Sequence, residues 1–342
     1  MKVEIINNLD EIKKIKVIWD RLFLRLKNKS VFQTFDYNFY AYSNCLDFKF
    51  NSLSIGLIYE KDLISICPFY IDRNKKLRFI NDVHSDICDI LCTEIFDFDA
   101  YLNELFLKNK IRSCHLININ EQSFLSKYKS NKYKIVVDFR FSSFSFLNIV
   151  KGNFPNNVHH YKSKQKTEIR RILKKYSDMY HSIINYENCN FPKSDILILK
   201  NKMIKKGIRS KNFINDFQIK FLESLFNSGI LHISLVKSNN HVHALSLLLK
   251  QKNNYVIWID IYDSNKLINL FNYISLITLI SKENSILINF GRGIYNYKIA
   301  NFLPEIKSLL SVRIFDSYFK KFTFIFKHYV VQLLTKFYKF FK

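Results

Sequence analysis

The stretch LHISLVKSNNHVHALSLLLKQKNNYVIWIDIY, residues 231–262, constrains the chain most. Three apolar runs are separated by short Asn-rich segments, too short for anything but tight turns, so the runs are predicted to pair as three antiparallel strands. Helical spacing is expected before them, around Asp195 to Lys205 and from Asn215 to Asn227, and after them from Leu267 to Lys282, where Ser264 or Asn265 offers an N-cap. The run ILINF then supplies a last strand. Helix, helix, long antiparallel strands, helix, strand is the order of a mixed α/β domain with one main sheet.

The first half partly echoes that order. A strand over Val3 to Ile6 precedes apolar positions at helical spacing from Leu9 to Lys27, and a second helix is expected over Asn38 to Cys45. LSIGLIYEKDLISICPFYI reads as two strands joined by a Glu-Lys-Asp turn. LRFINDV and DICDILC are expected as further strands, Phe98 to Lys108 as a helix, and CHLININ and KIVVDF as strands closing this half near residue 145. Between the halves, seven Lys or Arg and one Glu fall between Lys162 and Lys175, with Ile169, Ile172 and Leu173 as a thin apolar stripe, which predicts a basic helix with one buried edge.

With 342 residues, 48% of them hydrophobic and only 6 Gly and 4 Pro, the chain can bury two ordinary cores, which excludes disordered and collagen-like classes. A formal net charge of +24 favours anionic partners: a phosphate-bearing cofactor, a nucleotide sugar, nucleic acid or an anionic membrane. Six scattered cysteines read as reduced thiols of a cytoplasmic protein. No metal site is expected, because Cys88, Cys92 and His84 have no second Cys/His pair at a zinc-site spacing. No apolar stretch reaches the roughly 18 to 20 residues needed to span a bilayer. The last stretch, 313–342, alternates aromatics with Lys and is expected to lie as an amphipathic appendage on a surface, such as the anionic inner face of a membrane.

Four segments together resemble the GNAT-superfamily acetyltransferases of the cellulose-biosynthesis (CelD/BcsL-like) type, whose relatives include the FemAB aminoacyltransferases. They are Phe32-Gln33, Pro68 followed by Ser85, Asp86 and Asp89, the basic helix SKQKTEIRRILKKY, and the closing strand INFGRGIYNYK. The strand carries Asn289 where the family has Asp, and Ile294-Tyr295 where it has an acidic residue after Arg292-Gly293. The junction from Asp263 to Asn269 lacks the Gly-rich pyrophosphate loop of typical members. The resemblance implies an α/β (α+β) fold of two tandem GNAT-like domains with mixed, largely antiparallel sheets flanked by helices. The expected limits are 1–148, 149–312 for the acyltransferase domain, and 313–342 for the tail. It also implies an N-acyltransferase with acetyl-CoA or another acyl-CoA as co-substrate and a small-molecule or glycan amine, such as an amino-sugar of a surface polysaccharide, as acceptor. A FemAB-like enzyme using aminoacyl-tRNA, or a non-catalytic membrane-docked scaffold, is the alternative.

Acyl transfer from a thioester to an amine needs a base for the amine proton, donors for the oxyanion and a proton for the leaving thiolate. Asp260, inside the apolar strand YVIWIDIY, is the expected base, its pKa raised by desolvation. His243, two residues from His241 on a strand, is a second proton acceptor. Tyr297 could protonate a thiolate, and Arg292, Gly293 and Lys298 beside it suit phosphate recognition. Ser264, Asn265 and Lys266 open a helix whose free N–H groups suit an anion. Asp86 and Asp89, carried over from the resemblance, and Arg170 of the basic helix are the expected substrate-binding residues.

Overall fold

A computed structural model describes residues 1–45, 51–108, 110–239, 241–263 and 265–340. The chain divides into two compact units, one of residues 1–29, 46–141 and 308–342, the other of residues 30–45 and 142–307. The grouping therefore differs from consecutive cuts at 148 and 312, because the chain returns to each unit after leaving it.

The first unit contains β1 (Lys2–Ile6), α1 (Leu9–Lys14), α2 (Lys16–Arg25), β2 (Ser52–Tyr59), β3 (Leu63–Ile71), β4 (Lys76–Phe79), β5 (Leu91–Cys92), α4 (Phe98–Leu107), β6 (Ser113–Asn120) and α5 (Phe124–Lys127). It ends with most of β13 (Glu305–Phe315) and with α11 (Tyr318–Phe340). The helix expected over Leu9 to Lys27 is broken at Ile15 into two. Strand order is β1-β2-β3-β4-β6-β13, with β5 against β3. Along it the pairs are antiparallel except β4 with β6, which is parallel. The segment DICDILC is not the continuous strand its composition suggested: Leu91 and Cys92 pair with β3, and Cys88 makes a single parallel bridge to Ile119. Polar groups in and just before it find side-chain partners: Asn118 donates to the carbonyls of Asp82 and Ser85 at 3.0 and 2.9 Å, and Ser123 to Asp89 at 2.6 Å. Arg78 clasps the buried Asp82 with two bonds of 2.9 and 3.0 Å.

The second unit opens with a 3₁₀ turn (Val31–Gln33) and α3 (Phe35–Cys45). It continues from the second part of β7 (Lys134–Ile149), residues 142–149, through α6 (Ser163–Lys175), β8 (Tyr180–Ile184), α7 (Lys193–Lys205), α8 (Asp216–Asn227), β9 (Leu231–Ser238), β10 (His241–Gln251), β11 (Asn254–Tyr262), α9 (Lys266–Ser281), β12 (Ile286–Arg292) and α10 (Asn296–Phe302). Its strand order is β8-β9-β10-β11-β12-β7, antiparallel throughout except β11 with β12. Both units thus show three antiparallel pairs, one parallel pair and one further antiparallel pair, the mixed, largely antiparallel arrangement expected from the sequence.

Local chemistry fixes the elements around β11. Asn215 and Gln218 cap α8 reciprocally at 3.0 and 2.8 Å. Gln33 caps the 3₁₀ turn by accepting from the Ser30 amide at 3.0 Å, while Phe32 and Tyr37 pack edge-on against Trp258 of β11. The Phe-Gln pair is therefore packing and capping chemistry. Helix α9 is buried from Ile268 through Ile277, as an almost wholly apolar helix must be.

Candidate functional site

Strand register places Ser234, Ser246 and Asp260 in one row across β9, β10 and β11. Helix α9 brings Asn272 and Tyr273 onto that row. Asp260 accepts from the Ser246 hydroxyl at 2.8 Å through Oδ1 and from the Tyr273 hydroxyl through Oδ2. Asn272 donates through Nδ2 to Ser246 Oγ at 3.0 Å and accepts through Oδ1 from Ser234 Oγ at 2.7 Å. His181 Nε2 lies 2.8 Å from Ser234 Oγ. Because the Ser234 proton goes to Asn272, the network assigns the His181 proton to Nε2 as donor. Burial pushes the His181 pKa down to about 4 and keeps the ring neutral.

Asn272 Nδ2 also donates to the Ser234 carbonyl at 3.3 Å, while the side-chain-to-side-chain bonds of this chain all run toward Asp260. On its other side the Tyr273 hydroxyl, which donates to Asp260, stands 3.5 Å from that of Tyr297, which is 39% exposed. Burial and then the Asp260 charge push the pKa of both phenols upward, so both stay protonated. The line Asp260–Tyr273–Tyr297 thus joins a half-buried carboxylate to a phenol at the surface.

The remaining expected site residues are dispersed. His243 bonds to a different set: its Nδ1 is 3.0 Å from Asp263 Oδ2 and its Nε2 is 2.8 Å from Ser238 Oγ. Lys298 is buried and donates to the Phe290 carbonyl, with Tyr295 and Tyr297 within 5.0 and 5.9 Å of its ammonium, so it braces the turn instead of facing a phosphate. Tyr297 and Lys298 lie on the short α10, not in a loop. Gly293 has φ +93 and donates to the Ser143 carbonyl at 2.8 Å, a conformation that favours glycine, while Arg292 ends β12 opposite Phe144. Asn289 accepts from the Gly291 amide at 2.9 Å, so its amide oxygen closes the bend after the strand.

Asn265 is the N-cap of α9, accepting from the Leu267 amide at 3.0 Å, and Lys266 is exposed on the first turn. Ser264 lies outside the described residues. Arg170, on α6, donates to Asn156 at 2.7 Å. Asp86 and Asp89 belong to the first unit, inside the irregular segment and not on the strand expected for them. Asp89 is held by Ser123 and by the Ile90 amide at 2.8 Å, and burial pushes its pKa up to about 7. Asp86 is buried.

Tyr273, Asn272, Ser246, Ser234 and His181 were missed by sequence reasoning. The available signal was a hydroxyl in the middle of each apolar strand, in HISLV and HALSLLL, and Asn-Tyr inside an apolar helix.

No protein-family model matches the chain, and no curated protein does. Among solved structures it is similar to the C-terminal domain of a protein described as a lysylphosphatidylglycerol synthetase from Agrobacterium fabrum. The TM-score is 0.58 at 10% identity, over 95% of this chain and 97% of that one. It is similar to FemX at a TM-score of 0.55 and 9% identity, over 91% and 97% of the two chains. A tandem GNAT protein from the clavulanic acid biosynthesis pathway matches at 0.50 and 6% identity, over 91% and 98%. What these structures share with the chain is the fold, and it is the GNAT-like mixed α/β fold expected from the sequence.

Proposed function

We propose that the chain is an N-acyltransferase whose centre is the Asp260–Tyr273–Tyr297 line. The observation that carries this reading is the common direction of the side-chain-to-side-chain hydrogen bonds, which leaves Asp260 as their end acceptor and Tyr297 as the protonated group nearest solvent. As an amine attacks a thioester carbonyl, its proton is taken at Asp260, and Tyr297 supplies one to the leaving thiolate. Tyr297 regains a proton from Tyr273, and Tyr273 from Asp260, so protons balance with no covalent enzyme intermediate.

The donor in this reading is acetyl-CoA or another acyl-CoA. The parallel ladder between β11 and β12 covers only Asn254–Val256 against Leu287–Asn289, so the strand ends that carry Asp260 and lead to Tyr297 have no ladder partners in each other. Arg292 and Lys266 are the cations assigned to its phosphates. The acceptor is an amino-sugar or related amine of a surface polysaccharide, in line with the resemblance to the cellulose-biosynthesis acetyltransferases. Titration calorimetry with acetyl-CoA, free CoA and longer acyl-CoA tests the reading. Saturable binding weakened in Arg292→Ala supports it, and the absence of binding to every thioester overturns it.

The exposed cations of α6 and the likeness to FemX favour a second reading, with aminoacyl-tRNA as donor. Tight tRNA binding with a steep salt dependence would select it over the first.

Membrane contact is a separate part of the proposal. Arg313 to Phe315 belong to β13, paired with His115, Cys114 and Ser113, so the amphipathic segment starts at Tyr318 and not at 313. Tyr318, Phe319, Phe322, Ile325, Phe326 and Tyr329 are exposed along one arc of α11, and Lys320, Lys321 and Lys327 flank it. No helix among the described residues is long and apolar enough to cross a membrane. Binding to vesicles containing anionic phospholipid, lost on deleting residues 318–342, is the expected result.

A further inference from the structure

The start of β10 and the residue after β11 bring together three side chains that the proposed transfer does not use. His241, His243 and Asp263 each offer one donor atom, and these atoms all lie within 4.8 Å of one another. We infer that they bind one divalent transition-metal ion of the zinc class. A tetrahedral ion with bonds of roughly 2.0 to 2.2 Å sets its donors about 3.3 to 3.5 Å apart. The His243–Asp263 pair, at 3.0 Å, needs to open by a few tenths of an ångström, and the His241 donor, within 4.8 Å of the other two, needs to close on them.

The pair is held in place from outside. Ser238 Oγ lies 2.8 Å from His243 Nε2, which fixes the ring with Nδ1 turned toward Asp263. Without metal, Nδ1–H donates to Asp263 and the Ser238 hydroxyl donates to Nε2. A metal ion at Nδ1 displaces that proton, the ring carries its proton at Nε2, and Ser238 turns to accept it, the usual device for orienting a metal-binding histidine. The Asp263 amide donates to the His243 carbonyl at 3.0 Å, tying the two ligand residues together by backbone. The His241 ring stands edge-on to His243 with centroids 4.8 Å apart, and His241 is exposed, which leaves a solvent side for a water to complete the coordination.

Two imidazoles and one carboxylate form a borderline donor set that suits zinc, cobalt, nickel or copper and not magnesium or calcium. The Lys202 ammonium sits 3.0 Å from His241 Nε2 and donates to its lone pair. A cation is therefore already recognised at this nitrogen, and an incoming metal ion replaces it. The inference stands on these residues alone and is independent of the acyltransferase reading.

The test is calorimetric titration of the metal-free full chain with Zn²⁺, with cobalt(II) ligand-field absorption as a coordination readout. One ion per chain is expected. His241→Ala and Asp263→Asn should each weaken it by at least about tenfold and abolish the cobalt spectrum, and Ser238→Ala by about tenfold. Lys202→Ala should tighten binding by removing the competing cation. His241 is exposed, so its variant is expected to melt as the parent does, which separates lost ligation from lost folding. Absence of stoichiometric binding, or binding equally tight in His241→Ala and Asp263→Asn, overturns the inference.

Discussion

The two units repeat one order of strand pairing, yet they spend their buried polar groups differently. In the first, Arg78–Asp82, Asn118 and Ser123–Asp89 tie down an irregular segment that lies between the two parallel-paired strands β4 and β6. In the second, the same connection is the single helix α9, and Ser234, Ser246, Asn272 and Tyr273 form a line that ends at a surface phenol. One architecture thus supports a structural lock in one copy and a directed line of hydrogen bonds in the other. The connections of the parallel pairs differ as well: an irregular segment, β5 and the helix α4 lie between β4 and β6, whereas α9 alone joins β11 to β12.

The sharpest way to break the comparison is at its two carboxylates. Asp260→Asn should lower transfer by about 10²- to 10⁴-fold, the range of a lost general base, while acyl-CoA binding by calorimetry is retained. Unchanged turnover would remove Asp260 from the chemistry. Asp82→Ala, in the other unit, should instead act on stability. Leaving Arg78 without its buried partner costs about 3 to 5 kcal/mol, read from the midpoint of a urea titration.

A middle-sized effect is expected at the centre of the second unit's network. Asn272→Ala leaves the buried Ser234 and Ser246 hydroxyls short of a partner and should cost about 1 to 3 kcal/mol in the same titration, together with a loss of transfer as Asp260 loses its support. A stability as high as the parent's would mean the line is not the constraint described.

Asp89 sharpens the contrast through pH. Its folded pKa, about 7, lies above the unfolded value near 3.8, so between those values the native state holds a proton that the unfolded state has released. Its contribution is fully present below about pH 4 and is lost as pH rises to about 7. Asp89→Asn keeps the oxygen that Ser123 and the Ile90 amide address, and it should flatten stability across that window. An unchanged slope would argue against the protonated form. The smallest effect is expected at Asn289→Asp, where a carboxylate oxygen can accept from the Gly291 amide as the amide oxygen does. Asn289 is buried, so the desolvated charge offsets that bond and stability should fall by about 1 kcal/mol.

Much of the fold was legible because β9, β10 and β11 are long apolar runs with Asn-rich turns, and because the N-caps at Asn215 and Asn265 stand where helices begin. The break at Ile15 was not, since apolar spacing continues through it. DICDILC misled because its composition suits a strand while Asp89 and the Ser85 carbonyl are engaged by Ser123 and Asn118, side chains distant in sequence. Asp260 was visible as a lone carboxylate in an apolar strand. Tyr273 and Asn272 were not, because inside an apolar helix they resemble core residues until the strand register sets Ser246 and Ser234 against them. Likewise, His243 and Asp263 are 20 residues apart and meet only once β10 and β11 pair.

The amide at the middle of the second unit's hydrogen-bonded line has a further consequence. A hydroxyl passes a proton on by accepting one and releasing another, but a carboxamide cannot do so without becoming an imidic acid. Asn272 therefore works as an electrical insulator set into a wire. Ser246, Asp260, Tyr273 and Tyr297 can exchange protons on the surface side of it, whereas His181, on the far side, senses that exchange only as a change in the orientation of its neighbours. The compartment in which protons move is thus closed at one end by a single side chain and open at the other through a tyrosine.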